Sequence, residues 1–439
     1  MKIFSLIKFL IKSILLATLA FITSFVNAGP MEDLIQNENF WKEINKDDFM
    51  KNYKSLGFRW TSDAMDSARS SREGMTFHEK SIGETIVYFA KGNPSQIQIS
   101  IHNRGDDLPM EGSQGRDKFN VILREWAAML TEVSGVEMVK RGKDNKSAVK
   151  ANGAIWTSED QAYLLEYSST GKTSDFQSQF IRLRIAPVIK KTFIEEKLDT
   201  KKMGPVAKES LPRNVKRIEN EVYIANCPMV DQGTKGYCVT ATASRVFGYL
   251  GLQVTMHELA QLAGSDPSQG TNVEKMVEAI SKLTGRFKTR MTTHIDMNYR
   301  DMEKLTTDYN RVAKRAGMPE VPDGEDANKW DNFDSFDPEI LRSARTKSKT
   351  GIGKFEREIK RNIDSGIPLL WTVTLGIYPE PKRISQTRGG HMRLIIGYNE
   401  KDKQVIFSDS WGAGHEKKLL PLEDAYCMTK GIFSIRPIK

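Results

Sequence analysis

The 439-residue chain has little of what metal-bound or disulfide-linked proteins need. It contains only three cysteines and six histidines. No Cys-x-x-Cys pair and no cysteine–histidine cluster with the spacing of zinc ligands occurs in it. We therefore expect no metal and no cofactor, and no internal repeat is evident either.

After residue 28 the chain also lacks any apolar run long enough to cross a bilayer. Residues 1–28 combine three lysines, a short apolar run and small or β-branched residues at the end, which is the pattern of a cleaved signal peptide. The absence of cysteine at the junction argues against a lipid anchor. The expectation is a secreted or periplasmic protein with no stable membrane anchor after cleavage; the alternative is an uncleaved anchor.

Long blocks of one charge sign are absent as well. The net charge is +9, and removing the three lysines of the signal peptide lowers it to +6. Lysine and arginine alternate with aspartate and glutamate throughout, which indicates a solvated surface and not a nucleic-acid partner.

The length predicts two domains, because about 410 residues after the signal peptide exceed one ordinary core. Strand patterns around a helix near 119–130 predict a smaller α+β domain over 29–188. Lysine, glutamate and two prolines without periodicity predict a linker over 189–219, exposed to proteases. A second α+β domain would then occupy 220–439.

The most informative segment of the chain surrounds Cys238. Gly233 and Gly236 suit a tight turn that leads into a helical run from Cys238 to Leu250, with Gly251 as its end. A thiol at a helix N-terminus is stabilised as thiolate by the helix dipole and by a neighbouring imidazolium. Cys238 is therefore the candidate nucleophile.

Two later segments supply partners for this thiol. His391 begins an apolar strand that ends at Gly397-Tyr398, and Asp409 follows the strand Val405–Ser408. Such a histidine can act as the general base, and the aspartate can orient it. His257, His294 and His415 have no comparable sequence context.

Together these segments resemble the papain-like cysteine peptidases. In that family a Gln-Gly-x-x-Gly-x-Cys turn leads into the nucleophile helix, a Gly-His step begins a strand, and Asn-Ser-Trp-Gly closes the site. The counterparts here are Gln232 to Cys238, Gly390-His391 and Asp409 to Gly412, in the family's order. The resemblance covers roughly residues 220–439 and implies a nucleophile helix packed on an antiparallel sheet.

The resemblance also implies roles for further residues. Gln232 would donate a side-chain N–H to the oxyanion hole beside the backbone N–H of Cys238. Trp411 would shield the histidine–aspartate bond, and Trp411, Gly236 and Gly390 would line the substrate site.

The chain departs from the family pattern at three positions. Asp409 replaces the usual asparagine, similar to peptidases that process bacteriocin leaders, and should favour the imidazolium more strongly; asparagine should still work there. Val239 replaces an aromatic residue. Lys235 replaces a cysteine, so the family's local disulfide cannot form, and the pairing of Cys227 with Cys427 stays open.

The function implied is hydrolysis of protein or peptide substrates by a cysteine peptidase. The alternatives are a transglutaminase-like acyltransferase, a cell-wall amidase of related fold, and a non-catalytic binding protein. The 29–188 domain shows no helical papain-type propeptide pattern. It can be an autoinhibitory prodomain, a recruitment module or a docking domain.

Overall fold

A computed structural model describes residues 31–438 except 38, 105–106, 145–147, 189–204, 234–235, 253, 266–269, 325–330 and 381–387. The predicted signal peptide and most of the predicted linker lie outside these residues. No helix in the described part of the chain is long and apolar enough to cross a membrane.

The described residues form two compact units. Two short stretches from the N-terminal region belong to the second unit, which the sequence-based limits 29–188 and 220–439 did not foresee. The first unit consists mainly of 31–59, 65–142 and 152–188, and the second mainly of 60–64, 148–151 and 205–438.

The first unit is built on an eight-stranded sheet with the order β1-β2-β5-β6-β10-β9-β8-β7; β3 and β4 form a separate pair. The register-defined pairs of the large sheet are antiparallel. The helices are α1 (Glu32–Ile35), α2 (Lys46–Asn52) and α3 (Gly112–Ser134). The strands are β1 (Arg59–Trp60), β2 (Ser67–Ser70), β3 (Thr76–Phe77), β4 (Lys80–Ser81), β5 (Thr85–Ala90), β6 (Asn93–Asn103), β7 (Val139–Asp144), β8 (Ala151–Thr157), β9 (Gln161–Thr170) and β10 (Gln177–Pro187).

The core of this unit follows the alternation of its strands. Ile181, Leu183 and Ile185 on β10 are fully buried, as is expected when alternate side chains share one face of a sheet. Helix α3 packs on β10 and buries Phe119 and Trp126. The unit thus has an α+β pattern, with its longest helix, α3, packed on an antiparallel sheet.

The second unit combines helices with a sheet of the order β11-β12-β15-β14-β18-β13, and β16 and β17 continue from β15. Its α-helices are α4 (Cys238–Tyr249), α5 (Met256–Ala263), α6 (Val273–Phe287), α7 (Tyr299–Ala316), α8 (Pro338–Arg345), α9 (Lys349–Asp364) and α10 (Leu422–Met428). Its strands are β11 (Val215–Ile218), β12 (Glu221–Ile224), β13 (Thr289–Asp296), β14 (Leu369–Leu375), β15 (Gly389–Asn399), β16 (Gln404–Ser408), β17 (Lys418–Pro421) and β18 (Thr429–Pro437).

Helix α4 is buried on nearly all sides and packs against β15, which confirms the predicted nucleophile helix on an antiparallel sheet. Small residues make this burial possible, because Ala241, Thr242 and Ala243 let the helix approach the strand closely. The helix starts at Cys238 and stops before Gly251, whose φ of 78° needs a residue without Cβ.

The described part of the segment 189–219, which was predicted to be a linker, contains regular secondary structure. Lys208–Asn214 form a 3₁₀-helix with Leu211 fully buried, and β11 pairs with β12 in the sheet of the second unit. Periodicity failed to reveal these elements because a 3₁₀-helix with an internal proline and a four-residue edge strand are too short to show one.

Candidate active site

Three elements of the second unit bring the predicted catalytic residues together. Cys238 is the first residue of α4, His391 lies near the start of β15, and Asp409 follows β16, which pairs with β15. The Thr242 hydroxyl donates to the Met392 carbonyl at 3.1 Å and ties α4 to β15 directly beside the histidine. Helix and strand therefore hold the thiol and the imidazole at a fixed separation.

The imidazole of His391 lies between an acid and the thiol. Its Nε2 is 3.3 Å from Oδ1 of Asp409, and its ring also bonds to the Cys238 thiol. Because Nε2 faces the aspartate, Nδ1 is the nitrogen that remains for the thiol. His391 and Asp409 are buried, whereas Cys238 is partly accessible.

The pKa of the Cys238 thiol is lowered and that of the His391 imidazole is raised, so both groups shift toward their charged forms. Burial raises the pKa of the Cys238 thiol, but the bond and charge of His391 and two backbone N–H groups outweigh it and lower the pKa overall. Burial likewise lowers the pKa of His391, and its bonds to Asp409 and Cys238 reverse this and raise it. The arrangement thus favours a thiolate–imidazolium pair.

Trp411 covers one face of the imidazole. Its ring stacks on the ring of His391 with centroids 4.4 Å apart and an angle of 16° between the planes. An indole in this position keeps water away from one face of His391 and limits the rotation of the ring. The shielding of the histidine–aspartate bond by Trp411 stays a prediction.

Gln232 is held by the turn that follows Asp409. The hydroxyl of Ser410 donates to Gln232 Oε1 at 2.6 Å, and the backbone N–H of Gln232 donates to the Ser410 carbonyl at 2.8 Å. Both side chains are buried. Since Oε1 accepts from Ser410, the amide is oriented with its Nε2 donor end away from that residue.

The two glycines predicted to line the substrate site occupy different surroundings. Gly390 is an exposed residue of β15 with open space where a side chain would be. Gly236 lies in the turn before α4, and its carbonyl oxygen is 3.0 Å from where a Cβ on Gly270 would lie. The roles of both glycines in substrate binding stay predictions.

The sequence did not reveal that Asp409 sits among cations. Arg393 Nε lies 2.8 Å from Oδ1 of Asp409 as an ion pair, and Lys418 Nζ donates to Oδ2 at 2.7 Å. Burial raises the pKa of Asp409, but Arg393, His391 and Lys418 hold it well below its usual range. A signal did exist, because an arginine inside an apolar strand needs a buried partner.

Arg245 is a second missed residue, and it joins the parts of the site. It is 1% exposed on α4 and donates to the carbonyls of Pro228 and Asp409, both at 2.8 Å, and to the Ser408 hydroxyl. One guanidinium thus links the nucleophile helix to the segment before it and to the end of β16. An arginine in an otherwise apolar helix was the available signal.

The other two cysteines take no part in this arrangement. Cys227 and Cys427 are free thiols, so the disulfide left open by the sequence does not form. Burial raises the pKa of Cys227 to about 12 and that of Cys427 to about 11, so neither is a thiolate near neutral pH. Among the described residues, no group of three or more His, Cys, Asp or Glu side chains could hold a metal ion.

A match to a known protein family agrees with this site. Residues 224–430, just under half of the chain, match the model of the Peptidase_C39 like family. No curated protein matches the chain. Among solved structures it is similar to xylellain, a cysteine protease from Xylella fastidiosa, at 12% identity over 54% of this chain and 92% of that chain. The TM-score is 0.26, too low to support any argument. From the family match and the cysteine–histidine–aspartate arrangement, residues 224–430 are similar to the Peptidase_C39 like family and carry the residues of a cysteine-type peptidase site.

Proposed function

We propose that this protein is an exported cysteine peptidase that hydrolyses peptide bonds of a protein or peptide substrate through a thioester acyl-enzyme. The observation that carries the proposal is the line of contacts from the partly accessible Cys238 thiol through the buried His391 to the buried Asp409. Cys227 and Cys427 have raised pKa values, which makes Cys238 the candidate nucleophile among the three cysteines.

In the first half of the reaction the Cys238 thiolate attacks the carbonyl carbon of the scissile bond. The C–N bond breaks, and the imidazolium of His391 gives its proton to the departing amine, which leaves a thioester. In the second half His391 accepts a proton from water, the hydroxide attacks the thioester carbonyl and the C–S bond breaks, which gives a carboxylic acid and restores the thiolate–imidazolium pair. Asp409 keeps Nε2 of His391 fixed through both halves.

The oxyanion formed in each half needs hydrogen-bond donors. The backbone N–H of Cys238, at the N-terminus of α4, and the side-chain amide of Gln232 fit this role. The bond from Ser410 supports it, because it orients the Gln232 amide before substrate arrives.

The pKa directions predict a bell-shaped pH dependence of kcat/KM. Activity rises with pH as the thiol ionises, at a pKa below its ordinary 9.0. It falls with pH as the imidazolium loses its proton, at a pKa above its ordinary 6.5.

The function is tested by incubating the purified protein with a peptide mixture and reading products and intact enzyme by mass spectrometry. We expect new peptide ends and, after rapid acid quenching, an acyl adduct on Cys238. Transfer of acyl groups to amines without hydrolysis would support an acyltransferase instead. Failure to cleave any peptide, together with no reaction of Cys238 with iodoacetamide at neutral pH, would contradict the proposal.

Export and regulation by the first unit rest on the sequence. Export predicts that protein from the periplasm or medium begins at Gly29, which intact-mass measurement checks. To test autoinhibition, a site for a specific protease can be inserted between 193 and 194, the last of the boundaries between the two units along the chain. Cutting there and separating the pieces should raise peptidase activity. An unchanged rate, with no slowing when the first piece is added back, would favour recruitment or docking.

A further inference from the structure

Asp409 has more partners than orienting a histidine requires. Besides His391 Nε2 at 3.3 Å, its carboxylate is approached by Arg393 Nε at 2.8 Å and Lys418 Nζ at 2.7 Å. The two permanent cations are thus closer to the carboxylate than the imidazole is. Arg393 in turn binds both oxygens of Glu380, at 2.9 and 2.8 Å.

The four charged groups of Asp409, Arg393, Lys418 and Glu380 are almost completely shielded from water. The side chains of Asp409 and Arg393 are 0% exposed, Lys418 is 2% exposed and Glu380 is 3% exposed. Aromatic rings form part of the surroundings: the Arg393 guanidinium lies 4.5 Å from the centroid of Phe407, and Lys418 Nζ lies 5.2 Å from that of Trp411. Charges in such a place must be balanced by each other.

The balance is even, with two anions and two cations. Arg245 is a further cation near Asp409, but its hydrogen bonds go to backbone carbonyls and to Ser408. The other titratable groups of this region are the Cys238 thiol, which faces His391, His415, whose ring contacts Trp411, and Glu416, whose charge reaches Arg245. Arg393 and Lys418 therefore offset part of the negative charge that Asp409 places beside the imidazole.

We propose that Arg393 and Lys418 are positioning residues that make an acid obligatory at 409 while offsetting part of its charge. Asp409 then orients His391 much as a neutral amide would. An asparagine at 409 would leave two cations against Glu380 alone, and the excess positive charge would disfavour the imidazolium. This reverses the sequence-based expectation that asparagine works at this position.

A charge-swap series tests the proposal: Asp409→Asn, Lys418→Gln and the double variant. In the double variant the Gln side chain can accept from the Asn amide, so charge and hydrogen bonding are both restored. We expect Asp409→Asn to lower kcat/KM by about 10²-fold or more and the double variant to lie within about tenfold of wild type. Lys417→Gln is the matched control, since Lys417 is exposed and pairs with Glu221, and it should change nothing.

The deciding measurement is the pKa of His391. It is determined by NMR in a Cys238→Ala background, so that the thiol does not titrate with the imidazole. The pKa should rise by about 1 in Lys418→Gln, fall in Asp409→Asn and return toward the wild-type value in the double variant. If Asp409→Asn does not fold, the His391 pKa values in Lys418→Gln and in the double variant still test the proposal.

The proposal is overturned if Asp409→Asn alone keeps near wild-type activity, if the double variant is no better than Asp409→Asn, or if Lys418→Gln leaves the His391 pKa unchanged. Only the kinetic part rests on the proposed peptidase function. If no variant and no wild-type protein cleaves peptides, but the three pKa values follow the expected order, the electrostatic inference stands and the proposed function fails.

Discussion

Each unit of this protein buries a carboxylate among three basic side chains, and one of these two groups lies in the candidate active site. In the first unit Glu166 is 1% exposed and bound by Arg141 at 2.6 Å, Arg182 at 2.9 Å and Arg184 at 2.6 Å. In the second unit Asp409 is bound by His391, Arg393 and Lys418. Burial raises the pKa of both acids, and their basic neighbours hold it well below the usual range.

The difference lies in the third base. The three bases that bind Glu166 are guanidiniums, which stay charged at any physiological pH and are not nucleophiles. Asp409 contacts an imidazole, which exchanges protons near neutral pH and continues to the Cys238 thiol. A strongly lowered carboxylate pKa therefore does not by itself identify an active site. The distinguishing feature is that the imidazole bound to Asp409 also contacts a thiol.

The largest expected loss of peptidase activity comes from replacing the nucleophile. Cys238→Ala should lower peptidase activity by about 10⁴-fold or more, because no other side chain in the site can form the acyl-enzyme. Steady-state kinetics on purified protein checks this. Cys427→Ala is the control, since that thiol is buried away from the site and its loss should leave the activity of the folded protein unchanged. Substantial activity in Cys238→Ala would end the assignment.

Next in size is the loss of an oxyanion donor. Gln232→Ala should lower kcat by about 10²-fold to 10³-fold, with little change in the rate at which iodoacetamide alkylates Cys238. The reason is that the amide acts only on charge that develops in the transition state. A parallel loss of alkylation would mean that Gln232 instead shapes the thiolate site.

A smaller effect is expected at the residue that orients this donor. Ser410→Ala removes the 2.6 Å bond to Gln232 Oε1 and should lower kcat by about tenfold, the size of one lost neutral hydrogen bond. In a Gln232→Ala background the same change should have little further effect. Equal effects in both backgrounds would show that Ser410 acts independently of Gln232.

Replacing the buried acid of the first unit should leave peptidase activity unchanged and should lower only the stability of the protein. Glu166→Gln leaves the buried guanidinium of Arg184 and the partly buried ones of Arg141 and Arg182 without their carboxylate, and should lower the free energy of unfolding by about 3 to 5 kcal/mol. Because the folded-state pKa is lowered, wild-type protein should lose this contribution as the pH falls below about 4, and the variant should not.

Denaturant unfolding at several pH values measures this effect. Glu278→Gln, at an exposed helix pair with Lys282, is the control and should unfold like wild type. A fall in kcat of folded Glu166→Gln would remove the distinction between the two carboxylates.

Much of the candidate site could be predicted from local sequence. The turn glycines, the small residues of α4 and Gly251 specify where the nucleophile helix begins and ends, because each acts on the backbone within a few residues. The strand that contains His391 and the strand that ends before Asp409 were also evident from apolar runs.

Tertiary structure decided what surrounds those residues. Arg393 and Lys418 converge on Asp409 only because β15 pairs with β16 and β16 pairs with β17, and Glu380 joins them from the segment after β14. Likewise, β11 belongs to a sheet although its sequence looks like a linker. Periodicity reports which face of one element is buried, whereas the charge balance of a buried site depends on which distant strands become neighbours.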